Sequence, residues 1–324
     1  MRFFRSPLLL LLAAAFIRVS GFVFDVLNID EVDFALIGRS VAEGHLPYVQ
    51  LVDIKPPLTY VAFAPAAWFG KLSLLPMHVL GVLVTCATAL LLGRAALRWT
   101  QDELVAAVAP WLYLLATVCD VPSVNAELLL NLPTAVALYC FAGESMFLAG
   151  LWLGVASLFK HQGGMPLASF GLVLFWRALR TRDARPIWSG VAMTLGLLVP
   201  WALTVLVYAR HLPEFWDWCF ARNFGYVGEA SATDPALPRL LLSTATCIGA
   251  TLVPWLLSIR ETFSRSPRSR EPLRGALVAA LWLTWIPVAM GGRFYEHYYL
   301  QFAPFLALMA APRAADWLAS WPRL

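Results

Sequence analysis

A succession of apolar runs, most of them long enough to cross about 30 Å of hydrocarbon, most constrains what this chain can fold into. The runs fall at 7–27, 76–97, 104–119, 127–142, 145–160, 164–179, 187–208, 240–258, 274–290 and 298–312. Runs of this length and character are read as helices. The expected fold is therefore all-α, a polytopic membrane protein with about ten transmembrane helices. Composition agrees, because 60% of the residues are hydrophobic and only 14% charged, with a mean hydropathy of +0.69, whereas soluble domains carry about 25% charged residues. The segment 57–70 is also apolar, but it is short and has Pro65 in its middle. It reads as a helix lying in the interface and not as a crossing.

The N-terminus, with Arg2 and Arg5 ahead of the apolar run Leu8 to Ile17 and small residues at Ala13 to Ala15, has elements of a cleaved signal peptide. Apolar character resumes after Arg18, from Val19 to Phe24, and this favours a retained first span. No Gly/Ser or Pro linker and no long repeat divides the chain. Residues 1–324 are expected to form one membrane-embedded domain with its catalytic loop at 28–75 and no separate soluble domain.

Lys and Arg placement then orients the spans. With the N-terminus cytoplasmic, fifteen of the twenty-four basic residues fall inside and eight outside, and Arg18 lies within the first span. The loop 264–274, SRSPRSREPLR, is the plainest inside segment, as the positive-inside rule requires. Treating 57–70 as a crossing with the same start reverses the totals and is rejected. Treating it as a crossing with the N-terminus outside scores equally well, so charge alone leaves two orientations. Arg2 and Arg5, ahead of the first span, favour an inside start. Thirteen of the twenty acids then face outward. Nucleic-acid binding is not indicated. The five cysteines, Cys86, Cys119, Cys140, Cys219 and Cys247, have no spacing that suggests zinc or a disulfide framework.

Charge gathers in the first outer loop, where Asp30, Glu31, Asp33, Glu43, Asp53 and Lys55 lie close together. Asn28 can cap a helix, Glu31 stands where a capping box needs it, and Gly44 suits the C-cap. Phe34, Ile37 and Val41 form an apolar stripe, so the helix is expected to lie on the membrane surface. Asp30 and Glu31 then occupy its first turn, where the helix dipole stabilises carboxylates. That is ordinary helix chemistry taken alone. The addition of Lys55, held on the stiff Pro56-Pro57 pair, supplies a carboxylate to take a proton and a cation to hold a phosphate leaving group. A structural pair between Asp53 and Lys55 is the alternative.

The order of these pieces resembles the C-type (GT-C) glycosyltransferases that use polyprenyl-phosphate sugars, including the bacterial protein O-mannosyltransferase and aminoarabinose transferase groups. The resemblance is carried by the Asp30-Glu31 pair with its amphipathic helix, by YVQLVDIKPPLTY at 48–60 and by NAELLLNLP at 125–133. GLWLGVASLFKHQGGMPL at 150–167 and GGRFYEHYYLQFAP at 291–304 continue it. It covers nearly the whole chain and implies that the Asp30 loop faces outward. It further implies Asp30 as catalytic acid/base with Glu31 beside it, and Lys55 at the donor phosphate. One departure matters: where the lipid A enzyme follows its acid pair with Arg and Tyr, this chain has Asp33 and Phe34. Donor and acceptor identity therefore do not carry over.

Further site residues are weighed against blander roles. Lys160 and Arg293 are donor-phosphate candidates, although a Lys snorkelling at a span end is routine. Glu127, His161, His297 and Tyr298 are substrate-binding candidates, and Glu127 could simply be a favourable first-turn acid. Arg18 within its span needs a partner, and Asp25 lies on the same helical face. The aromatics of the 209–239 loop suit either a sugar platform or an interfacial belt. No His, Asp or Glu spacing makes a metal site, and whether a divalent metal assists the carboxylates stays open. The expected function is inverting transfer of a sugar from a polyprenyl-phosphate donor to an unidentified acceptor hydroxyl at the outer face of a bacterial inner membrane. A lipid-sugar flippase, which would show inverted repeats and mid-membrane charge, and a catalytically silent assembly subunit are the competing readings.

Overall fold

The structure is a computed structural model that describes residues 6–68, 72–120, 123–225, 236–290 and 292–321. The described residues are helical throughout their ordered elements, as the apolar runs predict. Arg2, Arg5, Phe69, Gly70, Lys71, Gly291, Arg323 and the 226–235 part of the aromatic loop, all used in the sequence reading, lie outside them.

Helices α1 (Pro7–Ile17), α4 (Leu75–Thr100), α5 (Glu103–Ala116), α6 (Ala126–Ala142), α7 (Met146–Phe159), α8 (Pro166–Thr181) and α9 (Arg185–Val207) follow the first seven expected spans. Packing runs laterally from α9 through α7, α6 and α4 to α5. It continues through α15 (Ala303–Ala319) to α12 (Leu252–Phe263). Helix α15 is the axis of the bundle, with nearly every residue from Ala303 to Ala315 buried. Helix α9 instead exposes Leu195, Leu198, Leu203, Leu206 and Val207. Apolar side chains turned outward from a bundle mark a lipid-facing flank. The α7–α9 crossing is close because glycine leaves room for backbone: a Cβ on Gly150 would stand 1.7 Å from Met193 O, and one on Gly196 2.1 Å from Phe147 O.

The expectation of ten crossings is not met by ten unbroken helices. Among the described residues, α4 and α9 are each long and apolar enough to cross a membrane alone. The expected span at 240–258 is instead two helices, α11 (Ala236–Ala250) and α12, bent by 92° at Thr251. The run at 274–290 divides into α13 (Leu273–Leu283) and α14 (Trp285–Ala289), and the last run begins as a 3-10 turn at Glu296–Phe302 before α15. The first span stops at Ile17, where Arg18 takes the C-cap and a 3-10 turn follows. Hydropathy averages over such breaks because the residues on both sides remain apolar.

The charged loop forms α2 (Ile29–Ala42), and the apolar segment at 57–70 forms α3 (Pro57–Phe63) followed by a 3-10 turn at Ala64–Ala67. At about 1.5 Å per residue, α3 extends about 10 Å and cannot cross a bilayer. Phe34 and Ile37 on α2 are buried, as the predicted stripe requires, and Phe34 meets Tyr60 and Phe63 edge-on. Helix α3 in turn packs on α7, which brings the start of the chain against the Lys160 turn.

Candidate active site

The capping box at the start of α2 is formed as the sequence indicates. Asn28 Oδ1 accepts from the Asp30 amide at 3.0 Å, and Glu31 Oε2 accepts from the amides of Asn28 and Leu27 at 3.3 and 3.1 Å. The second Glu31 oxygen reaches across the fold. It accepts from the Val124 amide at 2.6 Å and meets His78 Nε2 at 3.3 Å. Burial works against the Glu31 carboxylate, but the His78 contact and the Val124 and Leu27 amides outweigh it and hold the group below its ordinary range. Glu31 is fully buried and saturated. Asp30, one residue earlier, is half-buried, and its side chain has no hydrogen-bond or ion-pair partner among the described residues. Two adjacent acids thus have opposite standing: one fastens the helix, the other presents an open carboxylate.

Lys55 is held by its neighbours' backbone bonds. Its amide donates to Tyr60 Oη at 3.0 Å, and its carbonyl accepts from Tyr48 Oη. Asn223 donates to the Ile54 carbonyl at 2.9 Å, and Thr59 ties α3 to the end of α7 through Phe159 O at 2.6 Å. Asp53 accepts from Tyr60 Oη at 2.9 Å and from the Ile54 amide at 2.6 Å. The alternative Asp53–Lys55 pair does not form, because Asp53 is used to fix the loop. Residues 53–55 sit on the rigid Pro56-Pro57 entry to α3, so Lys55 is a placed cation.

Lys160 ends α7 as its C-cap and forms a buried ion pair with Glu127 in the first turn of α6. His297 Nε2 stands 3.9 Å from the same Glu127 oxygen, and Lys160 Nζ lies 3.9 Å above the Tyr298 ring. Asp30 and Lys55 both act electrostatically on Lys160 and His297, so the α2 and α3 loops and these two turns share one field. His161 lies stacked 5.8 Å from Trp201, with Phe220 at 5.1 Å, and its Nε2 is 3.6 Å from Cys219 Sγ. Burial, with Lys160 and Lys55 nearby, lowers its pKa to about 4. The ring is therefore neutral at pH 7.

Lys55, Lys160 and His161 meet at a cavity of about 270 Å³ lined also by Ile54, Pro56, Gln162, Cys219, Phe220, Asn223, Phe224, Met290 and Tyr298; Asp30 and Glu31 are not among its lining residues. Of the sequence candidates, Lys55, Lys160, His161 and Tyr298 line it directly. Glu127 and His297 stand behind Lys160. Arg293, half-buried, lies on the segment between Met290 and Tyr298 but is not among the lining residues. Sequence reasoning missed Gln162, Asn223 and Met290. Gln162, which accepts from Gln301 Nε2 at 3.3 Å and donates to Pro287 O at 3.2 Å, had no signal beyond its place next to Lys160 and His161. Phe220 and Phe224 resolve part of the ambiguity in the aromatic loop, since both face the cavity. Trp216 is exposed, and Trp218 stacks under Arg222. The proposed Arg18–Asp25 pair is not formed: Arg18 donates to Ser123 O at 2.7 Å, and Asp25 is exposed. Among the described residues, no group of three or more His, Cys, Asp or Glu is arranged to hold a metal ion.

No known protein family matches the sequence, and no curated protein matches it significantly. Solved structures do. ArnT from Cupriavidus metallidurans bound to undecaprenyl phosphate is 21% identical with a TM-score of 0.63, over 97% of this chain and 60% of that one. Apo ArnT from the same organism matches at 21% identity and a TM-score of 0.60, over 92% of this chain and 56% of that one. The chain spans about 60% of the length of the ArnT structures it matches. At this identity the likeness establishes architecture alone: the chain has the fold seen in the ArnT structures.

Proposed function

We propose that this chain is a glycosyltransferase that moves a sugar from a polyprenyl phosphate to an acceptor hydroxyl with inversion, on the outer face of a bacterial inner membrane. The observation that carries this reading is the pairing of two lysines, Lys55 and Lys160, at one cavity with an open carboxylate, Asp30, in the same field. The acceptor hydroxyl gives its proton to Asp30 and its oxygen bonds to the anomeric carbon. The bond from that carbon to the phosphate oxygen breaks, and the electron pair leaves with the polyprenyl phosphate. A single displacement of this kind inverts the anomeric centre.

Phosphate is already a good leaving group, so the site supplies charge stabilisation in place of a general acid. Lys55 contributes its ammonium from the cavity wall. Lys160, paired with Glu127, gives oriented N–H donors at little net charge. Glu31 is assigned a positioning role, since every oxygen it has is engaged in holding α2. His161, uncharged at neutral pH, and Tyr298 provide flat faces for the sugar, and Phe220 and Phe224 shape the apolar side of the cavity. The likeness to ArnT, one structure of which holds undecaprenyl phosphate, supports a lipid-phosphate donor of that class.

The purified full chain, offered a panel of labelled polyprenyl-phosphate sugars, should turn over one or more of them. Asp30→Asn should lower transfer by about 100-fold or more, the usual contribution of a general base, without changing the melting temperature. Full activity in that variant would remove Asp30 from the mechanism. Transport of the donor across vesicles without transfer would favour a flippase.

A further inference from the structure

Away from the Lys55 cavity, the structure contains a second charged cavity of about 620 Å³. It lies where the C-terminal end of α8 meets the 264–272 loop and the start of α13. Helix α8 runs 16 residues from Pro166, close to the Lys160–His161 turn, to Thr181, which separates its ends by about 24 Å. This cavity is therefore at the opposite end of the bundle from the proposed active site. Arg177 and Arg180 of α8 and Arg265 of the loop line it, with Trp176 and the exposed Glu271.

The basic residues next to it are used differently. Arg268 pairs with Asp102 and with Asp316 at 2.8 Å, and Arg313 pairs with Glu261 at 2.9 Å. Arg274 pairs with Glu261 at 3.2 Å and Glu271 at 3.5 Å. Buried Glu261 also accepts from the Ser266 amide at 2.9 Å and Ser269 Oγ at 2.6 Å, which fixes the loop in place. The cavity arginines have no such partner. Arg265 donates only to Ser269 O, at 3.1 and 2.8 Å, and Arg180 lies 5.5 Å over the Trp176 ring. No carboxylate pairs with Arg177, Arg180 or Arg265 among the described residues. Glu271, the acid at the rim, is occupied by Arg274 and by the Gly275 amide at 3.0 Å.

We infer that this cavity binds the phosphate headgroup of an anionic phospholipid. Three guanidiniums from two segments, beside Arg268 and Arg274 whose charges are met by acids, form a cleft that calls for an anion. Guanidinium is the side chain best matched to phosphate oxygens. A lipid source is favoured by the surroundings. Leu172, Phe175, Trp176, Leu179 and Phe263 are all exposed around the same helix ends, so acyl chains have an apolar surface beside the charged cleft. Basic pockets between helices at a membrane face bind anionic headgroups by this combination.

The test uses the full chain in detergent, with bound lipid read by native mass spectrometry and thermal shift. Phosphatidylglycerol, phosphatidylcholine and inorganic phosphate are added separately. Phosphatidylglycerol should bind and raise the melting temperature, and phosphatidylcholine should do neither. Arg177→Gln with Arg265→Gln should weaken phosphatidylglycerol binding by about 10-fold or more. Arg94→Gln, which removes an exposed arginine elsewhere, should leave it unchanged. Unaltered lipid-free melting of both variants shows that folding is intact. If the double variant unfolds, Arg177→Gln alone must still give a measurable loss. Equal binding of the two lipids, an equal loss with Arg94→Gln, or unchanged binding in the cavity variants would overturn the inference. An equal response to inorganic phosphate would make this a free-anion site and overturn the lipid assignment.

Discussion

At the scale of single residues, the Glu127–Lys160 pair shows how burial turns a side chain into a commitment. Removing one partner of a buried ion pair leaves the other charge without compensation, at a typical cost of about 3–5 kcal/mol, whereas replacing both with apolar or neutral groups is often close to neutral. Glu127→Gln should therefore lower the melting temperature sharply, and Glu127→Gln with Lys160→Met should recover most of the loss. The double variant should still transfer sugar poorly, because the donor-facing ammonium is gone. Recovery of activity along with stability would make Lys160 purely structural. His161 gives a pH dependence. Its pKa is about 4 in the fold against 6.5 for the free side chain, so between those values the unfolded chain binds the additional proton. Stability should fall as pH drops from about 6.5 to about 4, and it should be fully present above that window. Thermal unfolding of His161→Gln across the same range should be flatter than that of the unaltered chain.

At the scale of elements, α2 carries Asp30 and is positioned by contact with α3. Gly38 lies where the two elements meet: a Cβ there would stand 2.5 Å from the Phe63 carbonyl carbon and 2.7 Å from its oxygen. Backbone atoms cannot swing aside as a side chain can. Gly38→Ala should push α2 away from α3, costing about 1–3 kcal/mol as overpacking does. Sugar transfer should fall further than stability alone explains. A transfer assay on folded variant protein checks this, and an unchanged rate would mean that α2 tolerates the shift. The boundaries of α2 were legible because Asn28 and Glu31 form a local capping box, with both partners within a turn. The break at Thr251 was not legible. Both flanking segments are apolar, and the bend places Ser243 Oγ 3.0 Å from Glu296 and Cys247 Sγ 3.3 Å from Cys119 O. Those partners are distant in sequence and leave no mark in the local pattern.

At the scale of the whole molecule, hydropathy and charge suffice for the class of fold, because a chain this apolar can hide its backbone polar groups in lipid only by closing them within regular structure. They do not decide the segment at 57–70, which charge counting leaves as either a crossing or an interfacial helix; the seven-residue length of α3 is what argues against a crossing. The sequence by itself determined that helices would carry the chain, that charge would collect on the Asp30 loop, and that Lys55 would be stiffly held by its prolines. Only the tertiary structure decided what each charge is for. Asp30 and Glu31 are adjacent and chemically alike, yet Glu31 is consumed by the amide of Val124, 93 residues away, and by His78, leaving Asp30 open. Asp53, the alternative partner for Lys55 in the sequence, instead accepts from Tyr60 Oη and the Ile54 amide. Lys160 found Glu127 33 residues earlier. The physical reason is common to all three: hydrogen bonds and ion pairs are short-ranged, so a polar group's role is set by which distant segment packing brings within about 3 Å.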